Sequence, residues 1–341
     1  MTLPEDGVLQ AVWWDGDAVG FIDQRALPDS VEKCRATSVA EIEEAIASLA
    51  VRGAPAIGIF GAYGVALLEQ RTTDPAQRER DAARIRHARP TAVNLSWAVD
   101  RVSRAPDKLS EARAIHREQI EIDRRIGRAA LELFPNHAGV VTHCNTGPLA
   151  TAGEGTALGS IIAASRDGKA IHVYVDETRP LLQGSRLTMF ELESAGIDAT
   201  LIVDAAAAMI MQRSKIDLVI VGADRIARNG DTANKIGTYA LAIAAAHHGI
   251  PFYVAAPRST FDFTLASGQD IPIEERGEQE VLGFAGVQLA KAHSSAYNPA
   301  FDVTPSHLVT AFVTEYGIVR PPYYDALLDL ESRPRLMEMS Y

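Results

Sequence analysis

Hydrophobic and polar positions change rhythm along the chain. Over the first 30 residues they alternate, as in "VLQAVWW" and "AVGFID", with Asp15-Gly16 between the two runs. Alternation broken by an Asp-Gly pair predicts a short β-hairpin. From Ser38 to about Leu133 the period becomes helical. "SVAEIEEAIASLAV" spaces its apolar residues near 3.6 and opens on Ser38 and Glu41, the two members of a capping box. Lys108 to Leu133 is amphipathic, with Arg and Glu along its polar face.

Past Phe134-Pro135 the pattern changes again, to short apolar runs separated by helical stretches. The runs are "GVVTHC", "AIHVYVDE", "ATLIVD", "DLVIVGAD" and "PFYVAAP"; the helices between them are predicted over Thr156–Arg166, Gly184–Ala195, Ala205–Arg213 and Ile236–His247. Val- and Ile-rich runs without a clear two-residue period are the mark of parallel strands covered on both faces. The pattern therefore predicts a mostly helical N-terminal domain, residues 1–133, and an open parallel-sheet, Rossmann-like α/β domain, residues 134–341. In such sheets ligands bind beyond the carboxyl ends of the strands. Those ends carry Cys144, Asp176 with Glu177, Asp204 and Asp224.

Composition narrows the function classes. Cys34 and Cys144 are the only cysteines, so there is neither a disulfide framework nor a CxxC metal pair, and a reducing cytoplasm is expected. The start, "MTLPEDGVLQ", has no secretory-leader pattern. The longest uncharged stretch, Gly53–Leu68, is shorter than the roughly 20 residues of a membrane span, and its glycines at 53, 58, 61 and 64 suit close helix packing instead. The formal net charge of −11 opposes a nucleic-acid backbone. A small anion is still compatible, because salt screens distant surface charge beyond about 8–10 Å. Its site would have to be a local basic island.

Four stretches could supply one. "VRGAPAIG" (Val51–Gly58) combines Arg52 and Gly53 with Pro55 in the first turn of a helix, an arrangement whose free amides can hold phosphate oxygens; it equally fits a plain helix start beside an exposed Arg. Arg89 precedes Pro90 at another helix start. "DETRPLLQGSRLT" (Asp176–Thr188) offers Gln183-Gly184 to a sugar, or is a loop stitched by Arg–carboxylate pairs. In "VGADRIARNGDTANKIGTY" (Val221–Tyr239), Asp224 ends an apolar strand, where desolvation would favour its acid form. Asn234 and Lys235 there precede a helix whose free amides would face an anion. His143, beside Cys144, points to the opposite face of a strand and reads as structural. The nucleotide-loop, nucleophile-elbow and HExxH patterns are missing from the sequence.

Taken together and in order, "VRGAPAIG", "RPTAVNLSWA", "THCNTG", "ETRPLLQGSRLT", "VGADRIARNGDTANKIGTYALA", "IPFYVAAPRSTFD", "IPIEERG" and "NPAFDVTP" resemble the methylthioribose-1-phosphate isomerases of methionine salvage, a route of amino-acid biosynthesis. That family shares its fold with regulatory subunits of the eukaryotic translation-initiation exchange factor and with archaeal ribose-1,5-bisphosphate isomerase. The resemblance implies an aldose–ketose isomerase of a sugar phosphate, acting as a homodimer from an interdomain cleft, without metal or organic cofactor, nucleic acid or membrane. It implies Cys144 and Asp224 as the catalytic pair and Arg52, Gly53, Ala54, Arg89, Gln183, Asn234 and Lys235 as substrate contacts. Two places depart from the family pattern: Met189-Phe190 stands where Ala-Trp is usual, and Val287–Pro299 is unlike the usual text. They leave the 5′ substituent open, so a 5-deoxyribose 1-phosphate, ribose 1,5-bisphosphate, or a noncatalytic sugar-phosphate- or nucleotide-sensing role are the alternatives.

Overall fold

The computed structural model describes residues 9–89, 93–284, 286–291 and 293–334. They divide into two compact units: one ends at Asp123 and takes in Thr146–Gly155, the other holds Arg124–Asn145 and the chain from Thr156 onward.

In the first unit, β1 (Val12–Trp14), β2 (Val19–Ile22) and β3 (Lys33–Ala36) form an antiparallel sheet in that order. The expected hairpin turns at Asp15-Gly16, where the Asp15 N–H donates to Ala18 O at 3.0 Å and Gly16 takes a φ of 69°. β3 extends it beyond the sequence-based expectation. Helix α1 (Val39–Ala47) forms both bonds of the capping box between Ser38 and Glu41. It is followed by α2 (Ala54–Arg71), α3 (Pro75–His87), α4 (Val93–Arg104), α5 (Lys108–Ala130), whose residues from Arg124 count with the second unit, and the single turn α6 (Pro148–Thr151).

The uncharged stretch is the buried helix α2. A Cβ on Gly61 would lie 2.4 Å from Leu95 of α4, and one on Gly58 would lie 3.0 Å from Asn94 O. These glycines let α4 approach α2 closely, as small residues do at tight helix crossings. Among the described residues no helix is long and apolar enough to cross a membrane.

The second unit is built on seven strands, introduced here with the helices between them. They are β4 (His137–Thr142), α7 (Ala157–Arg166), β5 (Ala170–Asp176), α8 (Met189–Ser194), β6 (Asp198–Ile202), α9 (Ala207–Arg213), β7 (Leu218–Val221) and, after two small strands β8 (Arg225–Ala227) and β9 (Thr232–Lys235), α10 (Thr238–His248) and β10 (Phe252–Ala255). Beyond β11 (Phe261–Asp262), α11 (Gln279–Leu282) and the minor hairpin β12 (Gly283–Phe284) and β13 (Val287–Gln288) come β14 (Phe301–Thr304), β15 (Ala311–Thr314), β16 (Gly317–Val319) and α12 (Tyr323–Ser332).

The main sheet runs β16-β15-β10-β7-β4-β5-β6, parallel except for β16. Its hydrophobic strands justify the reading of two covered faces: Leu218, Val219, Ile220 and Val221 of β7 are all at 0 % exposure. Helices α9, α10 and α12 bury Met211, Leu241, Ala245, Leu327 and Leu330 against it, each such side chain contributing roughly 1.5–3 kcal/mol if aliphatic and large. Counted in chain order, the parallel strands stand 3-2-1-4-5-6. This is the doubly wound order, and it places the topological switch between β4 and β7.

Candidate active site

Cys144 lies two residues beyond β4, and Asp224 three beyond β7. The two residues thus follow the two strands that flank the switch point, where an α/β sheet opens a crevice at its carboxyl edge.

Cys144 is 7 % exposed and sits in the left-handed region, φ 63°. That conformation costs a non-glycine residue of order 1–3 kcal/mol unless its surroundings impose it. Here they do. The Cys144 N–H donates to Thr178 Oγ1 at 2.9 Å, and its carbonyl accepts from Thr188 Oγ1 at 2.6 Å. Thr178, itself at φ 65°, donates its hydroxyl to Asp176 O and its N–H to Asp204 at 2.7 Å; Arg179 N–H takes the other Asp204 oxygen at 2.8 Å. The next residue, Asn145, is buried and donates to Thr188 and to the buried Glu191.

In the polar loop Asp176–Thr188 the Arg179 guanidinium donates to the carbonyls of Pro180 and Val281, and Asp204 accepts from the amides of Thr178 and Arg179. Gly184 is required there, since a Cβ would lie 1.7 Å from Asp176 O. Gln183 is 6 % exposed, and its Oε1 is a buried acceptor without a hydrogen-bond partner. The helix predicted from Gly184 begins with a π-helical turn, Gly184–Thr188, before α8.

Three sequence-based expectations need correction. Asp224 is exposed, not desolvated: it stands beyond the strand, past Gly222 and Ala223, on the turn where its N–H pairs with Ala233 O at 2.9 Å. Asn234 and Lys235 do not lead directly into a helix but end β9, which pairs with β14. Lys235 is nearly buried; its ammonium donates to Ala300 O at 2.8 Å and lies 4.7 Å from the Phe301 ring centroid. The start of α10 is occupied as well: Gly237 and Tyr239 N–H groups donate to the two oxygens of Asp302. Neighbouring Asn234 is buried and donates to Thr238 Oγ1 at 3.0 Å.

In the first unit, Gly53 caps α2 at φ 91°, with Ala54 and Pro55 opening the helix. The backbone it approaches is protein: a Cβ on Gly53 would lie 2.2 Å from Ala150 O. Arg52 and Arg89 are half-buried. Pro90, the other half of the second helix-start motif, lies outside the described residues.

Sequence reasoning left His143 as a structural residue, and the side chain is at 1 % exposure. Its Nδ1 is 2.9 Å from Asp176 Oδ2 and its Nε2 2.8 Å from Ile236 O. Burial works against the imidazolium, but the Asp176 hydrogen bond, the charges of Asp176 and Asp204 and the Ile236 carbonyl outweigh it and raise the His143 pKa. His143, Asp176 and Asp204 bring ligand atoms within 4.8 Å of one another. Hydrogen bonds already engage both nitrogens of His143 and both oxygens of Asp204, so the cluster reads as a bonded network. Thr178, Thr188 and Glu191 gave no sequence signal separate from the motifs around them.

A family model described as "Initiation factor 2 subunit family" matches residues 50–321, and the chain belongs to that family. Within it, the chain is 52% identical over 346 aligned residues to a protein of Chloroflexus aurantiacus named methylthioribose-1-phosphate isomerase, covering 95% of this chain and 99% of that one. The solved structure of 5-methylthioribose 1-phosphate isomerase from Pyrococcus horikoshii superposes with a TM-score of 0.90 at 40% identity, covering 97% of this chain and 98% of the other. A structure titled translation initiation factor eIF-2B, subunit delta, from A. fulgidus reaches 0.86 at 42% identity, covering 94% of this chain and 99% of that one. The chain is thus a member of the methylthioribose-1-phosphate isomerase group of this family.

Proposed function

We propose that the protein converts 5-methylthioribose 1-phosphate to 5-methylthioribulose 1-phosphate, with Cys144 and Asp224 as the catalytic pair. One observation carries the reading: a strained, clamped cysteine and a carboxylic acid follow the two strands at the switch point of a doubly wound sheet. The names of the Chloroflexus and Pyrococcus relatives supply the substrate. Arg52, Gly53, Ala54 and Arg89 from the first unit, with Gln183, Asn234 and Lys235 from the second, are assigned to substrate contacts. The orphan acceptor of Gln183 suits a sugar hydroxyl.

A sugar phosphorylated at C1 is a locked cyclic acetal and has no free aldehyde. Asp224 in its acid form protonates the ring oxygen and opens the ring. A sugar seated over this exposed carboxyl removes water from it, which favours that form. Hydrogen then moves from C2 to C1, either as a proton carried by Cys144 through an enediolate-like intermediate or as a hydride while Cys144 stabilises the developing charge. Deuterium entering C1 of the product from D2O selects the first route; its exclusion selects the second. No metal or organic cofactor has a part in this scheme. The test of the pair is Asp224→Asn and Cys144→Ser in folded protein. Each should lower kcat by about 10²–10⁴-fold, the usual contribution of a positioned acid–base group; turnover near wild type in either removes that residue from the chemistry.

The A. fulgidus neighbour keeps a second reading in view, that of a noncatalytic subunit. Absence of turnover on a panel of pentose 1-phosphates differing at C5, ribose 1,5-bisphosphate included, would favour it. We also place the protein in a reducing cytoplasm, where its two free thiols persist, as a homodimer. Apolar Leu201, Val203 and Met209 are exposed on and after the edge strand β6, a surface that a second copy would cover. Sedimentation equilibrium tests the dimer.

A further inference from the structure

We infer that His143 is a positioning residue for the Cys144 thiol: a buried imidazolium that pins the turn after β4 to the ends of β5 and β9 and fixes the charge beside the sulfur. The inference deepens the isomerase reading and rests on it for its kinetic test only.

The geometry requires both ring nitrogens to be occupied. Nε2 faces the Ile236 carbonyl, which can only accept, so Nε2 carries a proton. Nδ1 faces the Asp176 carboxylate, which when ionised also only accepts. The ring is held from the side by backbone: a Cβ on Gly237 would lie 2.8 Å from its Cε1, so only glycine fits there. Carboxylates face it from the ends of β5 and β6 and from β14. Asp176 ends β5, Glu177 follows it, Asp204 follows β6, and Asp302 lies on β14, where burial raises its pKa against the opposing pull of the Gly237 and Tyr239 amides and the charge of His143. Among these groups Arg179 acts on Glu177, and the imidazolium is the buried charge that compensates Asp176. Without it, the turn that carries Cys144 would stand against uncompensated negative charge, and a thiol there would hold its proton more tightly.

The clamp also unites the pieces of the proposed site in this unit. Ile236 directly follows Asn234 and Lys235, and Asp176 opens the loop that supplies Thr178 to the Cys144 amide and Gln183 to the substrate. His143 therefore bears on the sulfur in two ways, by fixing its turn and by setting its electrostatic surroundings.

The charge state is read directly in the wild-type protein. In ¹⁵N-histidine-labelled enzyme at pH 7.5, the His143 signal should show protons on both ring nitrogens; a neutral tautomer, with the shared proton on Asp176, overturns the inference. The effect on the thiol is read by iodoacetamide alkylation against pH, followed on the Cys144 peptide so that Cys34 is scored separately. His143→Gln keeps a donor toward Ile236 and loses the charge, and its alkylation midpoint should rise by about one pH unit. kcat at neutral pH should fall about tenfold, the corresponding loss of thiolate, with KM changed less than threefold. Should the lone Asp176 charge unfold that variant, His143→Gln with Asp176→Asn removes both charges and leaves a neutral hydrogen-bonding pair. In the folded double variant the net charge beside the thiol is that of wild type, so its alkylation midpoint should return toward wild type; a midpoint raised there by a full unit overturns the inference, as does a folded His143→Gln that alkylates and turns over like wild type. Alkylation and NMR need no substrate, so failure of the isomerase reading would leave these two results standing.

Discussion

At residue scale the site combines fixed and unsatisfied groups. Cys144, Thr178 and Leu182 all adopt left-handed φ without being glycine, within one patch of loops. Such strain is tolerated where surrounding bonds over-determine the backbone, and it gathers at functional sites. Gln183 shows the complementary signature. A buried acceptor with no partner costs the free protein about 1–3 kcal/mol, and replacing it by an apolar group of similar shape recovers that cost. Gln183→Met should therefore leave the melting temperature equal or higher while KM rises about tenfold, the loss of roughly one hydrogen bond to substrate. A variant that lost stability with KM unchanged would show that the amide serves the fold instead. The sequence exposed the residue types of this site but not their partners. Lys235 reads as a cation waiting for an anion, yet the structure gives its ammonium a carbonyl and an aromatic face, because the partner strand β14 lies far along the chain.

At the scale of elements, Asp123 of α5 fastens the loop that follows α6. One of its oxygens accepts from Thr151 Oγ1 and from the Glu154 and Gly155 N–H groups, and the other accepts from Gln119. Asp123 is only 1 % exposed, and burial, opposed by these hydrogen bonds, pushes its pKa up to about 6. An acid whose folded pKa exceeds its unfolded value near 3.9 binds more protons in the native state, so its contribution to stability falls as pH rises between those values. At about 1.4 kcal/mol per tenfold in proton affinity, the loss is roughly 3 kcal/mol between pH 4 and 7. Asp123→Asn keeps one acceptor for the loop and presents an amide donor to a turned Gln119, so it abolishes this pH term. Melting curves should show wild type losing stability relative to the variant over that interval, whereas parallel curves would place the proton elsewhere. The same scale shows why the element reading succeeded in part. The buried parallel strands were legible because covered strands are continuously apolar. β3 and β9 were not: Lys33–Ala36 and Thr232–Lys235 are polar, and only tertiary pairing makes them strands. The turn Gly184–Thr188 carries a helical signature and is helical, but wound as a π turn around the close approach of Gly184 to Asp176 O.

For the whole molecule, the balance of charge sets how a doubly negative sugar phosphate arrives. The net charge of −11 repels it at long range, while the cations proposed above to bind it, Arg52, Arg89 and Lys235, would attract it at close range. The two effects respond differently to salt. At 0.01 M ionic strength the Debye length is about 30 Å and most of the surface charge acts on the approaching anion; at 0.1 M it is about 10 Å and that distant repulsion is largely gone. Half-buried or buried cations in direct contact with the phosphate are screened much less. The second-order constant kcat/KM should therefore rise between 0.01 and 0.1 M salt, with kcat unchanged. Substituting exposed acidic residues outside the assigned site, such as Asp325 and Asp329 of α12, by Asn should reproduce part of that rise at low salt and add nothing at high salt. A steady fall of kcat/KM over the same range would mean that the local basic island already governs the encounter at low ionic strength, and that the acidic surface has no part in it.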